Sequence, residues 1–446
     1  MADWITQLGS NISVLSLAAV LILIAVRQAK SRSLAIWQIM LLGALAVLLT
    51  GQISPEDALL AINPDVMIFL AGMFVIGEAM QRSGYLLALF SRLFTRARSL
   101  DQLMIIIIFS MGFLAALLMN DTLAIIGTPL MIYLARALKI SAKLLLLTLA
   151  FAVTIGSVAS PIGNPQNLLI AVNGDLSNPF WTFLQYLLLP TVINLLFAYL
   201  LLRVFYRGQF KAEGSSSSDN SSNNGGDNDY HGSRDNDKIS GITSLASGKQ
   251  AVSDPRLARL SEISFLMLFL LILAKIAAVL LGQGEQFHLT YIAVISALPV
   301  LIFSERRLEI AKNIDWCTLI FFAAMFVLME SVWRSGLIQQ LLASGQADLN
   351  NIPVILSFSV IVSQVISNVP FVALCQPLLG HPSAEALMAL AAGSTIAGNL
   401  FILGAASNVI IIQNAEKSGE TITFLEFARV GVPLTALNAL VYWLFL

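Results

Sequence analysis

The chain of 446 residues is 57% hydrophobic and only 11% charged, with a mean hydropathy of +0.82. Soluble domains carry about 25% charged residues, so this composition excludes a soluble globular protein, and a net charge of −1 argues against a nucleic-acid partner. Apolar stretches of ~17–25 residues recur along the whole length, enough to cross a bilayer as helices, and imply an all-α, multi-pass integral protein of the cell membrane.

The first apolar run follows MADWITQLGSN, which lacks a basic n-region and so reads as a retained helix rather than a cleaved signal. MFVIGEAMQRSGYL (73–86) places Glu78 four residues before Arg82, the spacing of an ion pair on one helix face. Next, Leu103–Leu118 and Leu123–Leu134 flank Met119-Asn120-Asp121-Thr122. Arms this long make ~18–24 Å of helix, short of a ~30 Å hydrocarbon core. The pattern predicts a re-entrant hairpin with a polar tip at depth. A carboxylate at the centre of a membrane helix costs ~2.5–3.5 kcal/mol and persists when it binds a cation or a proton, or pairs with a base. Asp121 is therefore the candidate coupling residue.

The stretch ASPIGNPQNLLI (159–170) interrupts a strongly apolar region with two prolines, a glycine and three amide side chains. Pro161 and Pro165 remove N–H donors and Gly163 permits a turn. Non-helical backbone at membrane depth is tolerated only where it is buried in protein or lines a cavity. The break frees carbonyls and exposes half-helix N-termini that attract anions or polar oxygens. Ser160, Gly163, Asn164 and Asn167 are candidate binding positions, with Gln166 as a further uncharged group.

From about 211 to 254 the text turns polar, as in EGSSSSDNSSNNGGDNDYHGSRDNDK, and reads as a disordered linker. It divides the chain into a first membrane repeat over 11–207, a cytoplasmic linker over 208–257 and a second repeat over 258–446. In the second half, Lys275 lies deep in FLMLFLLILAKIAAVLLG and needs a partner or a path to the interface. Ser367-Asn368-Val369-Pro370 separates Ile352–Ile366 from Phe371–Leu379, a second hairpin. AGNLFILGAASN (397–408) is a second break, with Asn399, Gly404, Ser407 and Asn408 as candidates.

The halves resemble each other. MFVLMESVWRSGLI (325–338) matches 73–86 at seven of fourteen positions with an offset of 252, pairing Glu78 with Glu330 and Arg82 with Arg334. At an offset of 241, TFLEF (423–427) falls on TFLQY (182–186) and GAASN (404–408) on GNPQN (163–167). Placing the basic clusters inside accounts for all of the 25 cations except Arg334, left outside, and Lys275. Glu78 then lies near an inner helix end and Glu330 near an outer one, so the repeats are inverted, a common build for secondary transporters.

No HExxH, GxSxG or Walker pattern is present, so an enzyme has little support. No metal site or cofactor is expected. Cys317 and Cys375 read as buried packing residues, and His231, His288 and His381 are scattered over linker or loop positions.

At the tips and breaks the chain resembles the ion transporter superfamily, which includes arsenite/antimonite efflux permeases, citrate-type carriers, divalent-anion/sodium symporters and one class of sodium/proton antiporters. NDTLAIIGTPL looks like the first hairpin of the arsenical-pump branch, SNVPFVAL is similar to the second hairpin, and the two broken segments look like the paired break motifs. The resemblance covers both halves and excludes the linker. It implies two inverted repeats of about five membrane helices and one re-entrant hairpin each, often dimeric. It also implies a site shared by Asn120, Asp121, Thr122, Ser367 and Asn368 with the amides at Asn164, Asn167, Asn399 and Asn408. The sodium/dicarboxylate branch has Ser-Asn-Thr at both tips, and this chain does not. That departure counts against dicarboxylate transport and symmetric sodium sites. The expected function is secondary active transport of a small anion or oxyacid, whether an arsenite-like oxyanion, an inorganic anion or a carboxylate. Coupling would be to sodium or protons, with sodium itself a possible transported ion. The closest rival is a sodium/proton antiporter of the same fold.

Overall fold

A computed structural model of the chain describes residues 12–24, 34–94, 96–210, 252–281, 288–336, 351–380 and 382–446. Of the expected linker over 208–257, residues 211–251, with His231, lie outside the described residues, as does His381, and 255–257 already form the first turn of the next helix. Within them every regular element is helical. Eight helices are long and apolar enough to cross a membrane. The protein is an all-α, multi-pass membrane protein.

The first half contains α1 (Ile12–Ile24), α2 (Ile36–Leu49), α3 (Pro55–Ala61), α4 (Pro64–Ser83), α5 (Tyr85–Phe94), α6 (Leu100–Leu117), α7 (Asn120–Leu138), α8 (Ala142–Gly156), α9 (Pro165–Asn173) and α10 (Pro179–Phe205). The second contains α11 (Pro255–Leu280), α12 (Leu289–Phe303), α13 (Arg307–Asn313), α14 (Trp316–Arg334), α15 (Ile352–Ile366), α16 (Asn368–Leu378), α17 (Ala384–Leu400), α18 (Ala406–Lys417) and α19 (Phe424–Phe445). Many starts follow one local rule. A Ser, Asn or Asp caps the first turn and a proline follows at the first helical position, as at Ser54-Pro55, Asn63-Pro64, Asn178-Pro179 and Asp254-Pro255. The cap oxygen accepts an otherwise orphaned N–H, and proline has none to lose.

An order of apolar helix, 14–15-residue helix, 7-residue helix, long helix, hairpin, broken helix and long helix recurs, with α1–α4 answered by α11–α14 and α6–α10 by α15–α19. Two sets of contacts show that the halves are inverted. Arg82, at the end of α4, pairs with Glu78 on its own helix and with Glu309 on α13, just before α14 begins. Arg334, at the end of α14, pairs at 2.7 Å with Glu330 and at 2.7 Å with Asp57 on α3, just before α4 begins. Glu309 and Asp57 are themselves 252 apart, so one triad is repeated at both ends of an antiparallel α4/α14 pair. Second, α10 and α19 cross with Thr191 Oγ1 2.7 Å from the Tyr442 hydroxyl and Asn194 Nδ2 donating to the Asn438 carbonyl at 3.5 Å. Numbering rises on one helix as it falls on the other.

The helices sort into two bodies. α2, α4, α11, α12 and α14 pack on one another, with each repeat's α2-type helix against the other's α4-type helix. α6–α10 and α15–α19 form the second body, in which α6 packs on α8 and α15 on α17. In this second body α8 is 94% buried, whereas α11 in the first is only 22% buried and faces outward. The α6/α8 approach depends on glycine. A Cβ on Gly156 would lie 2.2 Å from the Gly112 carbonyl oxygen and 2.3 Å from its Cα.

Two expectations need adjustment. The arms of the first hairpin are longer than the apolar runs alone suggest, because Ser99 caps α6 one turn early and Asn120-Asp121-Thr122 form the first turn of α7 rather than a loop. Cys317 is exposed rather than buried, since it lies on the first turn of α14.

Gly156→Ala forces backbone against backbone, and overpacking of this kind costs about 1–3 kcal/mol or more. The expected result is a clear fall in the detergent melting temperature. Gly393→Ala, whose Cβ meets only the Ser359 Cβ at 2.7 Å and Leu356 backbone atoms at 3.2 Å, should cost less.

Candidate functional site

The first break runs from the end of α8 through a 3₁₀ turn at Ser157–Ala159 to α9, which starts at Pro165. Its carbonyls have lost helical partners in a dry interior, and Asn167 replaces them. Its Nδ2 donates to the carbonyls of Ser157 (3.1 Å) and Ser160 (3.0 Å). Asn164 caps α9 by accepting from the Asn167 N–H at 2.9 Å, and its Nδ2 donates to Ser157 Oγ at 3.0 Å. Gly163 is needed for close approach, because a Cβ there would lie 2.6 Å from the Ser157 oxygen and 2.7 Å from the Ala115 oxygen.

The second break repeats the device. Asn408, the repeat mate of Asn167, donates from Nδ2 to the Gly398 carbonyl at 2.6 Å, and Gly398 is the mate of Ser157. A Cβ on Gly404 would meet the Ala397 oxygen at 2.6 Å. The breaks differ in their polar fill. Asn164, Gln166 and Asn167 converge on Thr395 Oγ1 of α17 at 3.3–3.4 Å. Their mates in the second break are Ala405, Ser407 and Asn408, and Thr154, the mate of Thr395, is left with an unpartnered hydroxyl. The second break is therefore the emptier one.

The hairpin tips meet these breaks. The Asn120 N–H donates to the Gly163 carbonyl at 3.1 Å, so the first tip sits level with the first break. Asn120, Asp121, Ser367 and Asn368 share one cavity of about 510 Å³ with Pro165 and Gln166 of α9, Ala405 and Ala406 of the second break, and a wall from α2 and α14. The N-termini of α7, α9, α16 and α18 all open on it. Those of α7, α16 and α18 have no side-chain cap. A helix N-terminus carries about half a positive charge, so four of them supply on the order of two. Asp121 and Asp315 oppose this, and among the described residues no Lys, Arg or His lines the cavity. None of the ion pairs among the described residues includes Asp121.

Two further features mark the tips. The Oδ1 atoms of Asn120 and Asn368 are buried and unpartnered. Ser367 holds φ +72°, ψ 155°, a region normally reserved for glycine and costing of order 1–3 kcal/mol.

Asn120, Asp121, Ser367 and Asn368 thus come together on the cavity. Thr122 instead packs against α4, where Gly77 makes room for it. Ser160, Gly163, Asn164 and Asn167 lie behind the wall as bracing of the first break; Gly404, Ser407 and Asn408 lie behind the second. Asn399 is fully buried with both amide atoms unpartnered. Sequence reasoning missed the α2/α14 wall of Trp37, Asp315, Thr318, Phe321 and Phe322. The signal available for Asp315 was its Asp-x-x-Thr capping pattern, completed by Thr318 donating from its N–H at 3.0 Å and from Oγ1 at 2.6 Å. A second cavity, of about 710 Å³, lies at the opposite ends of α9, α14 and α16, with Asn173, Asp175, Glu330, Trp333 and Gln376 in its lining.

A family model described as citrate transporter matches residues 19–385. The chain belongs to this citrate transporter family. Curated relatives include an uncharacterized transporter of Mycobacterium bovis, 27% identical over 91% of this chain and 92% of its own length. The P protein of Mus musculus is 25% identical over 89% of this chain and 56% of its own. A putative transporter named arsB from Dictyostelium discoideum is 22% identical over 90% and 85%. The crystal structure of the Alcanivorax borkumensis YdaH transporter, described as having an unusual topology, has the same fold at a TM-score of 0.54 and 16% identity, over 87% of this chain and 86% of that one. This citrate transporter family member is a membrane transporter and not an enzyme.

Asn167→Ala strips the shorter hydrogen bonds from the Ser157 and Ser160 carbonyls and leaves each only a 3.4 Å contact, from Asn164 Nδ2 and the Gly163 N–H respectively. The expected loss of unfolding free energy is about 2–3 kcal/mol, read in detergent. Asn408→Ala removes one bond and should cost less.

Proposed function

We propose that the protein is a secondary active transporter of a small anion or oxyacid, coupled to protons or sodium. The observation that carries this reading is the convergence of four half-helix N-termini on a cavity that also holds Asp121 and, among the described residues, no base. The N-termini favour one negative charge on a solute. An ionised Asp121 would oppose that charge. Binding of a proton or cation to Asp121 removes the opposition, which couples solute to ion. The unpartnered oxygens of Asn120 and Asn368 can accept from a protonated carboxyl or help hold sodium.

Alternating access follows from a mismatch between the two repeats. The first tip touches α4 at Gly77, through Thr122. Under the repeat symmetry the second tip would stand at Met329 of α14. It instead shares its cavity with Thr318, Phe321 and Phe322. Both tips therefore lie toward the end marked by Arg82 and Glu309, the cytoplasmic end on the positive-inside reading. Exchanging the two relationships would carry the second tip 7–11 residues along α14, or about 10–16 Å. The second cavity, around Glu330 and Trp333, lies at the far end of that path.

In proteoliposomes Asp121→Asn should abolish dependence of solute transport on the proton or sodium gradient. Unchanged gradient-driven transport would remove Asp121 from the coupling role. Sodium-dependent proton movement without any solute would favour the antiporter instead. A Met329→Cys, Val369→Cys pair should cross-link during turnover and not in the arrangement described here. Equal cross-linking with and without turnover would contradict the proposed shift.

A further inference from the structure

The cavity at the tips has two unlike poles, and they come from different bodies. The polar pole, built of Asn120, Asp121, Gln166, Ser367 and Asn368, belongs to the body of hairpins and breaks. The opposite wall carries Asp315 and Thr318, which pair with each other at the start of α14, and beside them an aromatic patch of Trp37 from α2 and Phe321 from α14, backed by Phe322. This aromatic wall is fixed. Phe322 is fully buried, stands edge-on to Phe321 with centroids 5.4 Å apart, and packs on Phe326 behind it. Ile36, Val369 and Ile410 extend the apolar surface.

Three properties of the solute follow. Its charge is limited to about one, because a second or third carboxylate would need its own arginine or lysine and the lining has neither among the described residues. Its size exceeds that of an inorganic oxyanion, since about 510 Å³ lies within the range of pockets for organic ligands. Its far end is apolar, because an aromatic wall desolvated for nothing but water would waste the contact, whereas flat apolar groups pack well on such rings.

We propose that the substrate is an organic monoanion, a single carboxylate joined to a flat apolar group, with the carboxylate on the half-helix N-termini and the apolar group against Trp37 and Phe321. This deepens the reading of the cavity as the transport site and rests on it. The chain then departs in substrate from the polycarboxylate in its family's name.

The test uses the full-length protein purified in detergent at neutral pH, with phenylacetate, acetate, citrate and arsenite as probes in a thermal-shift titration. Phenylacetate should stabilise at concentrations at least about tenfold below those needed for acetate, the selectivity one apolar pocket gives for a matching group, and citrate and arsenite should give no shift. Trp37→Leu and Phe321→Leu should each reduce the phenylacetate-over-acetate preference about tenfold. Asn368→Ala should weaken both carboxylates together. Citrate or arsenite binding more tightly than phenylacetate overturns the substrate class and leaves the site standing. Intact phenylacetate binding in Asn368→Ala overturns the site itself. A wild-type protein that no probe stabilises overturns the proposal.

Discussion

An unpaired backbone carbonyl in a dry membrane interior costs free energy comparable to a lost hydrogen bond, and this protein interrupts two of its most buried helices. Everything at the site depends on how that debt is met. One asparagine in each repeat, Asn167 and Asn408, reaches back across the break to the carbonyl ten residues earlier. With the carbonyls satisfied from behind, the N–H groups at the start of α9 and α18 are left facing forward. The same residues that make the interruption tolerable therefore aim the helix ends at the cavity, which separates bracing from binding within a few positions of chain.

Much of this was legible in the sequence. Proline, glycine and amide side chains in an apolar run announce a break, because few other reasons place them at that depth. The matched Glu-Arg pairs at an offset of 252 announced a duplication, and the distribution of lysine and arginine announced its inversion. The partner of each arginine in the other half was not legible. Asp57 and Glu309 look like ordinary surface acids until the helices carrying them are brought together. The roles of individual amides were also hidden. Asn120 and Asn167 are the same residue type at equally polar stretches, yet one lines the cavity and the other is wholly enclosed, a distinction set by which way a helix turn faces. The aromatic wall was invisible for a plainer reason: Trp, Phe and Phe in apolar helices match any lipid-facing or core surface.

The two repeats have diverged where symmetry would be least useful. The first break is filled with amides that converge on Thr395, and the second presents Ala405 and Ala406. The first tip bears a carboxylate and rests on α4, and the second bears a serine in a strained backbone conformation. Duplication supplies the scaffold and the opposed helix ends. Substitution at a handful of mates leaves a buried carboxylate in one half and open space in the other.

The doubled triad of Arg82 and Arg334 has a consequence for how the chain can thread into a bilayer. Each arginine takes one acid from its own helix and one from the opposite repeat, and the two sets of partners are repeat mates 252 residues apart. A surface that bonds to its own upside-down copy is a handshake between identical partners, here written twice in a single polypeptide. Flipping one half over would part both arginines from their distant acids at once. The triads therefore fit the inverted arrangement of the halves and would be lost together in a parallel one.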